Sequence, residues 1–441
     1  MAVAIDNKTA EIVAKYRTLF DLKAQQLNGQ KNHPLQTLRR QAMDRLADIG
    51  FPARKDEDYK YTYVTKIAKE NYVEGKGAII GENVLKQASF GALEAYQLVF
   101  VNGVLDANLS NIENPVKGLT ISTLKAGLDE ETTQELIENS LNSEIGLNAF
   151  VALNTALVQN GTFIHVAKGT IVDKPIHIMN ITVSGGQAII TNPQVLLVAE
   201  ANSEVSLIET YSAVNDGTYF TNALARFIVG QNAHVHHYKL QNESVNAFQI
   251  NNSIATQDRD STYSSYVLDL GGKTVRNNLS SHLQASGTNT NLYGVYLAKG
   301  NQHIDNQSFI DHAHPHCESN ELYKGIIDEK GRGVFNGKVN VRQDAQKTNA
   351  FQQNSSLVLS DTAIMDTKPQ LEIFADDVKC SHGATIGQLD ESSMYYLRTR
   401  GMNEQKARAM LQFAFVAEVL ENFKIDAVKE KALAMMEEKL G

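Results

Sequence analysis

Residues 277–309 read NNLSSHLQASGTNTNLYGVYLAKGNQHIDNQSF, a stretch in which no apolar pattern of helical period can be traced. Its β-rich run, 293–297, is flanked by Asn, Gly and Ser, the residues that turn a chain. Taken alone, the asparagines place several turns here. The same texture extends both ways, from Gly161 to about Leu389. Within it lie strand-like runs at 162–166, 176–181, 195–199, 204–209, 225–229, 234–240, 263–270, 293–297 and 333–341. Many alternate in polarity, as Val339-Asn-Val-Arg342 does, which is the period of a half-buried strand. An array of short strands with few helices admits a sandwich, a large barrel or a β-solenoid. Length favours the solenoid, which grows by adding coils. No strict repeat accompanies it.

Outside this array the pattern is helical. Ile12, Val13, Tyr16 and Leu19 recur at helical spacing, and Leu35, Leu38, Met43 and Leu46 do so less regularly. A polar, aromatic segment, FPARKDEDYKYTYV (51–64), follows as an extended connection. Short strands are expected between 96 and 124, with Asn102-Gly103 as a turn. Helices are expected at 128–141 and 147–158, the first with acids early, where the helix dipole favours them. After Asp390 a short helix, 391–400, should end at Gly401. Asn403 is suited to cap a longer one whose apolar face carries Ala407, Met410, Leu411, Ala414, Phe415, Val416, Val419, Leu420 and Phe423. A charged amphipathic segment, 427–440, closes the chain. The expected division is therefore 1–160, mainly helical with short strands; 161–389, the strand array; and 390–441, helical.

Bulk properties narrow the function. The 441 residues carry a formal net charge of −9, which argues against a nucleic-acid binder needing a basic face. The opening residues hold acids and polar groups where a signal peptide needs an apolar run, and no run is long enough for a membrane helix. A cytoplasmic protein is expected. There are two cysteines, Cys317 and Cys380, too few for a disulfide framework or an all-cysteine zinc site.

Several motifs have plain readings. Gly271-Gly-Lys-Thr resembles the end of a phosphate-binding loop, but Val267 stands where that loop needs glycine, so a β-turn is expected. Gly331-Arg-Gly-Val-Phe-Asn-Gly has the wrong spacing for a dinucleotide site and reads as turn chemistry. In Asp311-His-Ala-His-Pro-His-Cys-Glu318 a strand would put His312, His314 and His316 on one face, a conceivable metal site that Pro315 interrupts. His234-Val-His-His237 reads as strand. Cys380 and His382, two apart, would share a face. A thiolate and a neutral imidazole are suitable ligands for iron. The other reading is a buried cysteine and a hydrogen-bonded histidine in a solenoid wall, and chemistry alone leaves that reading ahead. An iron–sulfur cluster takes about four protein ligands, mostly thiolates. With two cysteines in the chain, a second polypeptide would have to supply the rest.

Three runs carry a family resemblance: GRGVFNGKVNV (331–341), AQKTNAFQQNSSLVLS (345–360) and DTKPQLEIFADDVKCSHGATIGQLDESSMYYLRTRGMNE (366–404). Together they resemble the SufB/SufD family of iron–sulfur cluster assembly proteins. LNTALVQNGTFIHVAKGTIVDKPIHI (153–178) and RKDEDYKYT (54–62) are similar more loosely. Two cysteines and the ending FAFVAEVLENF (413–423) fit the SufD branch better than the longer, cysteine-richer SufB branch. The resemblance implies a mainly β protein, with a central parallel β-helix flanked by N-terminal and C-terminal helical domains. It also implies a scaffold without enzymatic turnover, in complex with SufB and the ATPase SufC, and makes a homodimer of the isolated chain an expectation. His382, with Cys380 beside it, would sit at the SufB interface and meet a transient cluster or iron there, none being bound stably. The segment 391–423 would dock SufC, through residues such as Tyr395, Arg398, Met410, Phe413 and Phe415. The rival expectations are a SufB-like cluster carrier and a β-helical carbohydrate-active protein. The second would need paired carboxylates, and adjacent Asp376 and Asp377 face opposite ways on a strand.

Overall fold

The computed structural model describes residues 7–26, 33–53 and 55–440. The first six residues, read above for targeting, and Arg54 of the polar segment lie outside the described residues. The centre of the chain winds into coils of parallel strands forming two walls, a 12-stranded sheet and a 10-stranded sheet. Each strand pairs in register with the one a full coil, about 30 residues, further on. In one wall Thr274–Leu283 pairs with His303–His312, and that with Arg332–Val341. In the other, Asn289–Ala298 pairs with Glu318–Ile327, and that with Asn349–Val358. The fold is mainly β, a β-solenoid with helical segments at both ends.

Inward side chains of both walls meet in one apolar core running the length of the solenoid, with Val235, Val275, Ile304 and Phe335 among its buried members. Burying each such side chain contributes roughly 1.5–3 kcal/mol. The stretch 277–309 is mostly strand rather than turn. Its asparagines stack in the walls: Asn278 donates to Asn252 (3.1 Å) and Asn277 to Asn306 (2.8 Å). An amide placed opposite another amide one coil on can hydrogen-bond along the stack. Asparagine therefore suits a strand here that it would weaken elsewhere. Gly331–Gly337 is likewise mostly strand, not turn. A Cβ on Gly333 would crowd Met365, and one on Gly337 would overlap the Gln352 amide, so these glycines make room for neighbouring coils. Gly271-Gly-Lys-Thr does lie in the turn between two strands, with Gly272 at φ 82°.

The coil repeats one geometry at one corner. Asn202, Asn232, Asp260, Gly287, His316 and Lys347 all adopt positive φ, and each stands two residues before a strand of the same wall. The backbone N–H groups of Asn202, Asn232, Asp260 and His316 each donate to a carbonyl of the next coil at 2.8–3.0 Å. Short polar side chains and glycine enter this region most cheaply, hence the asparagines at the breaks.

At the N-terminal end both walls finish in antiparallel strands. Leu119–Thr123 lies against Thr162–Val166, and Val104–Leu105 folds back on Tyr96–Val101 through the Asn102-Gly103 turn. Helices Asn7–Gln26, Pro34–Ile49 and Ala149–Leu157 pack one apolar cluster, with Tyr16, Met43 and Phe150, onto Phe220 and Ile250 of the 12-stranded wall. The polar segment near residue 60 is strapped across successive coils. Tyr59 lies under the Arg276 guanidinium (4.1 Å to the ring), Arg276 pairs with Asp305 (2.6 Å), and Thr62 hydrogen-bonds Asp305. Glu57 reaches Lys368 beside the last coil.

Candidate functional site

The two walls end unequally. Lys379–Gly387, the last strand, pairs with Asn349–Val358 on one side and with no strand on the other among the described residues. The opposite wall ends in Ile364–Thr367 and Gln370–Ile373, equally uncovered. Around this rim Phe351, Ile364, Ile373, Phe374 and Ile386 are exposed. An open edge of unpaired backbone groups with exposed apolar side chains is a template for another chain.

Cys380 and His382 lie on that last strand. Their register partners, Ala350 and Gln352, are buried and face inward, so Cys380 and His382 belong to the inward face of a coil with no further coil in front of it. Cys380 is half-buried against the end of the core, and His382 is exposed. The His382 ring makes no hydrogen bond among the described residues. Burial pushes the Cys380 thiol above its usual range, with a backbone hydrogen bond from Ala350 opposing, so the sulfur stays a thiol until a cation arrives. No group of three or more His, Cys, Asp or Glu side chains that would hold a metal occurs among the described residues. Cys380 and His382 alone fall short of a cluster's ligand set.

The His-rich segment does not form the face that alternation suggested. The strand ends at His312, which is fully buried, hydrogen-bonded to Ser319 (2.9 Å) and lowered by burial to about 4. His314 and His316 follow in an exposed turn, His316 occupying the positive-φ corner. His237 is buried against Glu209 (2.8 Å) and is structural. Asp377 is bound to Lys347 at the surface.

Beside the rim, helix Glu404–Leu420 runs along the solenoid wall. Its N-cap is Asn403, accepting from the Lys406 N–H at 2.8 Å. Val416, Val419, Leu420 and Phe423 are buried against Tyr238, Tyr266 and Leu297 of the wall. Met410 and Ala414 point outward instead, and Gln412 takes a buried place on the inner face. Met410 and Phe413 line a 570 Å³ groove with Ala409 and Leu440 of the last helix, Asp426–Leu440. Tyr395 and Arg398, on Glu391–Thr399, are exposed. Phe415 is held against the wall, with Lys324 over its ring (4.7 Å) and bonded to its carbonyl (2.8 Å). A larger cleft of 850 Å³ separates this helix from the last strands, bordered by Tyr293, Phe351, Gly383 and Glu421.

Comparison with known proteins bears on this arrangement directly. The SufBD core domain of the SUF system for iron–sulfur cluster assembly matches residues 181–415, and the SufBD N-terminal region matches residues 10–178. The chain belongs to the SufBD family. Among its relatives is an iron–sulfur cluster assembly SufBD family protein of Synechocystis, 34% identical across 94% of this chain and 93% of that one. Another is the iron–sulfur cluster assembly protein SufD of Escherichia coli, 31% identical across 98% of this chain and 97% of that one. A chloroplastic protein of Arabidopsis thaliana, ABCI7, is 31% identical across 90% and 85%. As a SufBD protein the chain has a part in iron–sulfur cluster assembly. No helix among the described residues is long and apolar enough to cross a membrane.

The SufBD core also holds polar residues that sequence reading passes over. Behind the rim, Glu321 is buried and accepts from the Gln352 amide at 2.7 Å. Each shares the inward face of its strand with other buried polar residues, Ser319 beside Glu321 and Asn354 beside Gln352, so residue type alone does not single them out. Burial pushes the Glu321 carboxyl from 4.5 up to about 7. Between those values the folded chain keeps a proton that the unfolded chain has released. Stability therefore falls as pH rises across that window and levels off above it. Glu321→Gln removes the slope. It is expected to gain on the native chain by roughly 1.4 kcal/mol per pH unit within the window, measured as denaturant midpoints at pH 5 and pH 8.

Proposed function

We propose that the chain is the SufD-type subunit of an iron–sulfur assembly complex, a cytoplasmic scaffold with no turnover of its own. The observation that carries this reading is the uncovered last coil bearing Cys380 and His382 at its rim. A SufB partner would continue the walls from that edge and cover the exposed apolar residues. The nascent cluster is cargo rather than a resident cofactor. His382, with Cys380 beside it, offers a fraction of its ligand set, and the partner supplies the remainder. An isolated chain would bury the same rim against a second copy of itself.

In this reading the solenoid, 161–389, is the rigid scaffold and the C-terminal segment, 390–441, is the lever. The groove around Met410 and Phe413, with exposed Tyr395 and Arg398 nearby, receives the ATPase SufC, while Phe415 ties the helix to the wall. The N-terminal domain, 1–160, stabilises the opposite end.

Pull-down of the tagged full chain from its native cell, followed by mass spectrometry, tests the assignment. Co-purification of a SufB-like solenoid protein and a SufC-like ATPase is expected. Met410→Glu should reduce ATPase recovery by about tenfold or more, since a charge placed in an apolar contact costs at least about 1.4 kcal/mol. Phe374→Glu should deplete the solenoid partner and spare the ATPase. Recovery of neither protein, or of both undiminished from both variants, refutes the proposal.

A further inference from the structure

The inward-facing residues of the 10-stranded wall form rows, because each strand is in register with the next. One row runs Leu292, Glu321, Gln352, His382. Successive members stand about 4.8 Å apart, within reach of one another's side chains. Glu321 is 2% exposed and Gln352 is 3% exposed. The Gln352 Nε2 donates to Glu321 Oε2 at 2.7 Å, so the amide nitrogen is committed to the coil behind. Its carbonyl oxygen, Oε1, is buried and has no hydrogen-bond partner among the described residues. The next residue in the row is His382, whose ring also lacks one.

A buried acceptor without a donor costs about 1–3 kcal/mol, so its persistence beside an unpartnered imidazole needs a reason. Space for Gln352 is kept open by Gly337 of the facing wall, where any Cβ would overlap the Gln352 amide. The amide is thus held on both sides.

We propose that Gln352, held by Glu321, is the inward hydrogen-bond acceptor for His382, fixing which ring nitrogen carries the proton and turning the other outward. This rests on the reading of His382 as a group that meets cargo at the rim. An imidazole that binds a metal through one nitrogen almost always donates from the other, and that donation sets tautomer and orientation. Gln352 and Glu321 are positioning residues, since neither touches cargo. Burial raises the Glu321 carboxyl to about 7, and in either protonation state it keeps an oxygen that takes the amide's hydrogen bond.

The test is long-range proton–nitrogen spectroscopy of the full chain labelled with 15N-histidine, with the His382 signals assigned by their loss in His382→Ala. The native chain at pH 8 should show one His382 tautomer enriched over the mixture of free histidine. Gln352→Met, similar in length but without an acceptor, should return it to that mixture with the other histidine signals in place. Should that variant not fold, Glu321→Met serves: it removes the acceptor that holds the Gln352 amide, and it should shift the ratio in the same direction. An unchanged His382 tautomer ratio in the folded variants overturns the proposal. In the reconstituted complex Gln352→Met should lower cluster yield by about tenfold. If His382→Ala assembles clusters normally while Gln352→Met still moves the spectrum, the pairing stands and the cargo role falls. If His382→Ala is inactive and the spectrum does not move, the pairing alone falls.

Discussion

Replacing His382 by alanine is expected to lower iron–sulfur cluster yield in the assembled complex by about 100-fold, at the upper end of what outer-shell partners of a metal ligand cost. Fold and partner recruitment should be unaffected. The side chain is exposed on the last strand and holds no hydrogen bond among the described residues, so its truncation removes at most the one contact proposed with Gln352. Surface changes of that kind usually alter stability by less than about 0.5 kcal/mol. Iron and sulfide content of the purified complex, alongside its melting temperature and subunit ratio, separates the two effects. A complex of normal composition and normal cluster yield would remove His382 from the site. The half-buried Cys380 packs against the core end, so its substitution mixes packing with chemistry and is the less informative change.

A second large effect is expected inside the solenoid. Lys239 and Asp269 pair at 2.9 Å with side chains 1% and 0% exposed, and Asn277 bonds both, at 2.6 and 2.7 Å. Asp269→Ala strands an ammonium in the core and should cost about 3–5 kcal/mol. That is a large share of the roughly 5–15 kcal/mol by which most domains are stable. Lys239→Met combined with Asp269→Leu removes both charges and should recover most of the loss, because desolvation offsets much of the pair's attraction. Chemical denaturation of the single and double variants reads the difference. A single variant as stable as the native chain would mean that water reaches Lys239.

Much of the fold is legible because strand periodicity needs only alternation, which runs such as 333–341 display. The asparagine-rich stretch 277–309 reads locally as turns, since its amides gain partners one coil away that no local window contains. The absence of a visible repeat has a related cause. The corner repeats a backbone conformation, and Asn, Asp, Gly, His and Lys all fill it, so the sequence varies while φ does not. At the site, Cys380 and His382 stand out by residue type. Glu321 and Gln352 do not, because their meaning comes from register across coils. The apolar stripe of the long C-terminal helix identifies Val416, Val419 and Leu420 as core. It cannot tell that Met410 faces a groove and Phe415 the wall, a distinction set by Lys324 far upstream.

The open rim has a consequence for how such proteins find companions. Strand spacing is fixed by backbone hydrogen bonding, so every coil, from whatever sequence, advances by the same pitch. Two such screws of equal thread can be set end to end without any bespoke contour, and side chains at the junction need only veto the wrong mate. Divergent copies of one ancestral gene would thereby keep the ability to join while their inner surfaces specialise for different tasks.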